Sequence, residues 1–328
     1  MRRANVLLVT LAAVAIACAG TAPSSRPVVP SPPPSVANPA MTVSPRPPSS
    51  IPAPSPDPSP TSAAPAVLVG AGDIADCSST GDEETARLLD KIDGTVFTAG
   101  DNAYPKGRPD DFRRCYVPSW GRHVDRTLPA PGNHDHDTAA AAGYRAYFGA
   151  RARPEDRTWY SIDIDDWHVV VLDSECGKVG GCDAGSVQGR WLRDDLASSG
   201  ALCTLAIWHK PRFSSGEHGS DRSVAPLWEA AYGAAVDLVV NGHDHDYERF
   251  APQDPTGHVD EEGGIRQIVV GTGGAHLREV ERPVDNSEVR DDTSHGVLKL
   301  TLRATGYDWE FVPVAGDPFR DSGSASCH

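Results

Sequence analysis

Residues 95–104 read Thr95-Val96-Phe97-Thr98-Ala99-Gly100-Asp101-Asn102-Ala103-Tyr104. The short β-branched, apolar run has the length of a buried strand, and it stops at a Gly-Asp pair where the backbone can turn sharply and polar chemistry begins. The same grammar recurs along the chain. Residues 66–69 lead into Gly72-Asp73, 127–130 into Gly132-Asn133-His134, 203–208 into His209, and 236–240 into Gly242-His243-Asp244-His245. Helix-like stretches lie between these runs, over 83–92, 109–120, 138–148, 188–198 and 223–232. Strands alternating with helices predict an α/β domain. Residues 158–174, with Asp165-Asp166 at the turn, and the pair formed by 264–271 and 295–313 read as antiparallel hairpins, and the charged stretch 276–294 reads as a surface loop. The expected architecture is a four-layer α/β/β/α sandwich of two mixed sheets.

All five strand-like runs end in groups able to bind metal. In open α/β sheets ligands sit beyond the carboxyl ends of the strands, so these residues, far apart in sequence, can converge there. Carboxylates, imidazoles, an amide oxygen and a phenol suit iron, zinc or manganese, whereas a structural zinc site would favour thiolates. His243 and His245 stand two apart. In an extended segment both rings leave one side of the backbone, where they can serve adjacent ions. A lone Gly-Asp is usually a turn and a lone histidine is usually structural. The ordered set of Gly-Asp, Gly-Asp-x-x-Tyr, Gly-Asn-His-Asp, a strand-terminal His and Gly-His-x-His is what points to a dinuclear site at the strand ends.

These blocks, Gly72-Asp73-Ile74-Ala75, Gly100-Asp101-Asn102-Ala103-Tyr104, Gly132-Asn133-His134-Asp135, Ala206-Ile207-Trp208-His209 and Gly242-His243-Asp244-His245, resemble those of the purple acid phosphatase branch of the calcineurin-like metallophosphoesterases. The resemblance spans about residues 67–249, and Tyr247-Glu248-Arg249-Phe250 and Gly271-Thr272-Gly273-Gly274 extend it toward the C-terminus. Carried over position by position, it implies that Asp73, Tyr104 and His245 hold a ferric ion. Asn133, His209 and His243 would hold a divalent partner (iron, zinc or manganese), with Asp101 bridging the two. In the wider superfamily a histidine commonly stands two residues after the first aspartate. Here that position is Ala75, while Tyr104 stands where the purple branch places its phenolate. Ala75 and Ala206 depart from the glycine and valine usual in the branch, and both remain small and apolar. A tyrosine that merely packs in its loop is the other reading of Tyr104, and it would leave both ions divalent.

The resemblance further implies attack on phosphorus by metal-bound hydroxide, with His134 protonating the departing alkoxide, a task that suits an imidazole. His218 lies where family members place a substrate-facing histidine, and its other reading is a solvated loop residue. Asp135 is expected either to orient His134 or to be solvated. Arg249 would meet a substrate phosphate or a carboxylate. The expected activity is hydrolysis of phosphate monoesters on a small phosphorylated substrate. A phosphodiesterase or nucleotidase on the same scaffold is the nearest alternative, because loops choose the leaving group. A non-catalytic surface binding module is a further one, although decay should first erase ligands and all seven positions are filled.

The N-terminus reads as a signal peptide over 1–18, with an apolar run from Val6 to Ala17 too short to span a bilayer and a lipobox-like Cys18 as acylation site. Ordinary cleavage after Ala15-Ile16-Ala17 is the alternative. Residues 19–65 are rich in Pro, Ser and Ala and cannot bury enough apolar surface to offset ordering, so they read as a tether. Extended at ~3.1 Å per residue, they would reach on the order of 140 Å from a membrane contacted only through the lipid. Residues 66–328 read as the catalytic domain. A formal net charge of -15 argues against a nucleic-acid surface. Six of the seven cysteines, those other than Cys18, form an even set in an exported chain and predict disulfides. Cys176 and Cys182 look like a small stapled loop, but six cysteines allow fifteen connectivities, and the sequence leaves the pairing and the oligomeric state open.

Overall fold

The computed structural model describes residues 64–152, 157–280 and 282–328. The expected signal peptide, Cys18 and the expected tether up to residue 63 lie outside the described residues. One sheet is built from β1 (Ala66–Ala71), β2 (Thr95–Ala99), β3 (Thr127–Ala130), β11 (Gly296–Arg303), β12 (Gly306–Pro313) and β13 (Ser322–Ser326), in the order β13-β12-β11-β1-β2-β3. Its first three strands are parallel, and β11 to β13 continue it antiparallel. The other sheet contains β4 (Tyr160–Ile164), β5 (Trp167–Val171), β6 (Cys203–Ile207), β7 (Leu238–Asn241), β8 (Tyr247–Phe250), β9 (Arg266–Val270) and β10 (Ser287–Asp291), in the order β10-β8-β9-β7-β6-β5-β4. Here β5, β6, β7 and β9 form the parallel centre.

The period-2 alternation of strand side chains sorts the core into layers. Trp167, Val169 and Val171 of β5, Leu205 and Ile207 of β6, and Leu238 and Val240 of β7 join the cluster that contains Leu68, Phe97 and Leu300 of the first sheet. The residues between them, Val170, Ala206 and Val239, turn to the opposite face. There they pack with Leu192 of α4 (Val187–Ser198) and with Leu227 and Trp228 of α5 (Ala225–Tyr232). The first sheet carries α1 (Gly81–Leu89) and α3 (Ala142–Phe148), whose Tyr144 hydroxyl donates to the Pro129 carbonyl at 2.8 Å. The result is the expected α/β/β/α sandwich of two mixed sheets. Among the described residues no helix is long and apolar enough to cross a membrane.

Several local expectations need correction. Residues 158–174 form the β4–β5 hairpin, but 264–271 and 295–313 do not pair with each other. Instead β9 is an interior strand of the second sheet, and β11–β12 is a hairpin of the first. A run buried on both faces carries no alternation to distinguish these cases. The supposed surface loop over 276–294 contains β10, an edge strand on β8. Within 109–120, Pro109 opens a single helical turn, α2 (Pro109–Asp111), which widens to a π-helix over Phe112–Tyr116 and ends before Pro118. Helix α3 begins only at Ala142, because Ala140 and Ala141 adopt positive φ of 53° and 51°. The cysteines pair as Cys77–Cys115, Cys176–Cys182 and Cys203–Cys327.

Candidate metal centre

The loops leaving the parallel strands of both sheets meet and are laced by main-chain hydrogen bonds. Gly72 N–H donates to the Val270 carbonyl (2.9 Å), Gly273 N–H to Gly72 (2.9 Å), Ala275 N–H to Asp73 (2.9 Å) and Gly242 N–H to His209 (3.0 Å). Beyond β1 and β2 the chains stay zipped, with Asp73, Ile74 and Ala75 N–H donating to the carbonyls of Gly100, Asp101 and Asn102. Ala75 and Ala103 close that zipper as a fully buried pair. Three residues at these strand ends take left-handed backbone: Asp73 (φ 57°), Asp101 (φ 51°) and His243 (φ 76°). Such geometry is uncommon for non-glycine residues and clusters at functional sites. The spacing leaves no room for side chains on the neighbouring glycines. A Cβ on Gly132 would lie 2.2 Å from Asp101 Oδ1, and one on Gly100 would lie 2.5 Å from the His209 ring.

The structure brings all seven candidate ligands together. The Tyr104 hydroxyl lies 2.9 Å from Asp73 Oδ1, 3.2 Å from Asp101 Oδ2 and 3.2 Å from His245 Nε2. His209 Nε2 lies 3.1 Å from Asn133 Oδ1, 3.2 Å from His243 Nδ1 and 3.3 Å from Asp101 Oδ2. Asp73, Asp101 and His209 could hold an ion among ligand atoms that all lie within 4.8 Å of one another. Two imidazoles are fixed from behind: His209 Nδ1–H donates to the Ala99 carbonyl (2.8 Å) and His245 Nδ1–H to the His276 carbonyl (2.7 Å). This presents Nε2 of each to the centre, as backbone carbonyls commonly do for metal-binding histidines.

The electrostatics show what the pocket demands. Burial alone would raise Asp101, but His209 foremost, then His134 and His243, hold its carboxyl well below the usual carboxylate range. Burial would lower His209, yet Asp101 and then Asp73 push it up to about 10. His243 is pressed the other way, to about 2, by burial and then by the charge on His209. Two facing buried carboxylates thus favour positive charge beside them. Burial, followed by Asp101 and Asp73, pushes the Tyr104 phenol well above its ordinary value. A phenolate at this position therefore needs a strong cation in place of the proton. Thiolate is absent from the set, and the donors present fit iron, zinc or manganese.

His134 stands at the rim, its side chain 32% exposed. Its Nδ1–H donates to the Pro105 carbonyl (2.6 Å), which directs Nε2 toward Asp101 Oδ2 at 3.8 Å. His218 stacks on His243 with ring centroids 4.4 Å apart, and its backbone N–H donates to Asp244 Oδ1 (2.7 Å). Asp135 does not reach the His134 ring. Its Oδ2 accepts from Gly132 N–H (2.9 Å), Asn102 N–H (3.2 Å) and the Asn102 amide (2.9 Å), bracing two ligand loops against each other. Arg249 meets carboxylates, pairing with Asp321 (2.7 Å) and Glu288. Sequence reasoning missed the supports, namely the Ala99 and His276 carbonyls, Asn102 and Asp244. Two are backbone atoms with no residue signature, and the others are ordinary polar residues whose roles emerge only from the packing.

Comparison with known proteins agrees with this geometry. Residues 65–247 match the family described as Calcineurin-like phosphoesterase. Purple acid phosphatase 21 of Arabidopsis thaliana is 28% identical over 253 residues, covering 66% of this chain and 54% of that protein. A nucleotide pyrophosphatase/phosphodiesterase of Hordeum vulgare is 24% identical over 266 residues, covering 66% and 68%. The solved purple acid phosphatase PPD1 from yellow lupin (Lupinus luteus) seeds shares the fold at a TM-score of 0.64 and 19% identity, over 80% of this chain and 53% of that one. The chain spans 28% to 54% of the length of the Mycobacterium tuberculosis and Arabidopsis thaliana relatives it matches.

Proposed function

The chain belongs to the calcineurin-like phosphoesterase family, and from that premise we propose that it hydrolyses phosphate monoesters at a two-metal centre of the purple acid phosphatase kind. The observation that carries this reading is the pair of buried carboxylates, Asp73 and Asp101, joined through the Tyr104 hydroxyl at 2.9 and 3.2 Å and flanked by His209 and His245. Asp73, Tyr104 and His245 would hold one ion, taken as ferric, and Asn133, His209 and His243 the divalent other, with Asp101 shared. When bound, such a pair supplies charge that polarises phosphoryl oxygens and a nucleophilic water near neutral pH.

The chain's own residues do the rest. The carbonyls of Ala99 and His276 keep His209 and His245 oriented, so the cavity is set before substrate arrives. His134, fixed through Nδ1 with Nε2 on the open side, is placed to give a proton to the departing alkoxide. His218, held over His243 by Asp244, lines the same mouth and would orient the phosphate.

The Hordeum vulgare relative keeps a second reading in view, a phosphodiesterase or nucleotidase preference for diesters on the same site. A panel of monoesters and diesters separates the two. Turnover of monoesters well above diesters supports the first, and the reverse order replaces it. Three disulfides and the relatives found suit an exported enzyme, which we place at the cell surface, anchored through Cys18.

A further inference from the structure

Taking the chain as a two-metal phosphoesterase, we propose that Arg278 is a specificity-determining residue that binds a second anionic group of the substrate, beyond the scissile phosphoryl group. Past β9 the chain climbs over the site and is pinned twice to His245. The His276 carbonyl accepts from the His245 ring at 2.7 Å, and the Arg278 N–H donates to the His245 carbonyl at 3.1 Å. Arg278 is thereby carried to the mouth on backbone that cannot shift without disturbing a candidate ligand. Its guanidinium reaches across to Glu217 Oε2 at 3.1 Å, next in sequence to His218, whose ring stacks on His243.

The Glu217 pair is suited to exchange. Both side chains are accessible, 35% for Arg278 and 50% for Glu217, and exposed pairs of this kind contribute little. A guanidinium offers five N–H donors in a planar fork that matches phosphate or carboxylate oxygens two at a time, so an incoming anion can take the place of Glu217. Because Arg278 stands on the rim rather than among the seven converging side chains, the group it meets is not the one that centre would grip. The substrate class is a phosphorylated compound with a further anionic group close to the scissile phosphate, of which a nucleoside diphosphate is a simple form.

The test is calorimetric titration of the metal-loaded full chain with methylenediphosphonate and with methylphosphonate, beside steady-state kinetics on ADP and on nitrophenyl phosphate. Arg278→Gln should weaken methylenediphosphonate roughly tenfold and raise KM for ADP with little change in kcat, while methylphosphonate and nitrophenyl phosphate stay within about twofold. Glu217→Gln, which frees the guanidinium, should tighten methylenediphosphonate. Equal weakening of both phosphonates by Arg278→Gln, or no change in either, overturns the assignment. A wild type that keeps its metals yet turns over none of these substrates overturns the phosphoesterase reading itself, a result distinct from any pattern among the variants.

Discussion

Asp101 offers Oδ2 to His209 at 3.3 Å and to the Tyr104 hydroxyl at 3.2 Å, while Oδ1 accepts the His134 N–H at 2.8 Å. An asparagine keeps the shape but loses the charge, and it directs either an amide oxygen or an NH2 into a space that demands an anion. Asp101→Asn is therefore expected to lose turnover and to lower the content of both metals in elemental analysis. The His134 side chain stands at the edge of the centre, its Nε2 3.8 Å from Asp101 Oδ2 and its ring centroid 4.4 Å from that of Tyr104. His134→Ala should lower kcat by about 10²- to 10⁴-fold and leave metal content intact. Equal metal loss in the two variants would contradict their separate roles. Tyr104 carries the ferric assignment, since its raised phenol deprotonates there only against a strong cation. Iron-loaded protein should absorb visible light and Tyr104→Phe should not. A band that survives the substitution would leave Tyr104 as a packing residue.

At the scale of elements, every candidate ligand sits just past a strand, and most of those strands were legible because an apolar run stops at glycine. Less legible were elements fixed by partners distant in sequence. β9 reads alone as half a hairpin, yet it lies between β7 and β8, and just past it Gly271 runs so close to the loop between those strands that a Cβ there would lie 2.0 Å from the Asp244 carbonyl oxygen. His168 shows the same dependence away from the site. Its Nδ1 donates to Asp163 of β4 at 2.7 Å and its Nε2 to Asp195 of α4 at 2.9 Å, an arrangement that requires an imidazolium. Asp195 foremost and then Asp163 raise its pKa against the opposing effect of burial. A folded pKa above the unfolded value of about 6.5 means that the stabilisation is complete below that pH. It then fades as pH rises through the folded value. Denaturant titrations of wild type and His168→Gln should differ by about 1 kcal/mol at pH 6 and converge under alkaline conditions. A difference that grows with pH would reverse the sign of this assignment.

Across the whole molecule, three disulfides tie segments that the sheets leave loosely held. Cys77–Cys115 joins the loop after the first ligand to the π-helix, and Cys203–Cys327 anchors the end of β13 to the start of β6 over a separation of 124 residues. Removing the latter as Cys203→Ser/Cys327→Ser should lower stability by about 2–5 kcal/mol while leaving kcat unchanged, as denaturant titration and activity assays would show. The even count of cysteines predicted oxidation. The pairing of Cys203 with Cys327 belongs to the fold, since Cys327 follows β13 of one sheet and Cys203 opens β6 of the other. The site divides in the same way. Asp73, Asp101 and the histidines are visible as residue types in order, whereas their strained backbone, the carbonyls behind the rings and the bracing by Asp135 belong to the packed structure.

Whether these strand ends grip two cations around Asp101 is decided by stripping the protein with a chelator and counting ions bound per chain as turnover is restored by titrated metal. Activity should vanish on stripping and return in step with binding that saturates at two ions per chain. Full turnover by thoroughly stripped protein, or restoration complete at a single bound ion, would contradict the account.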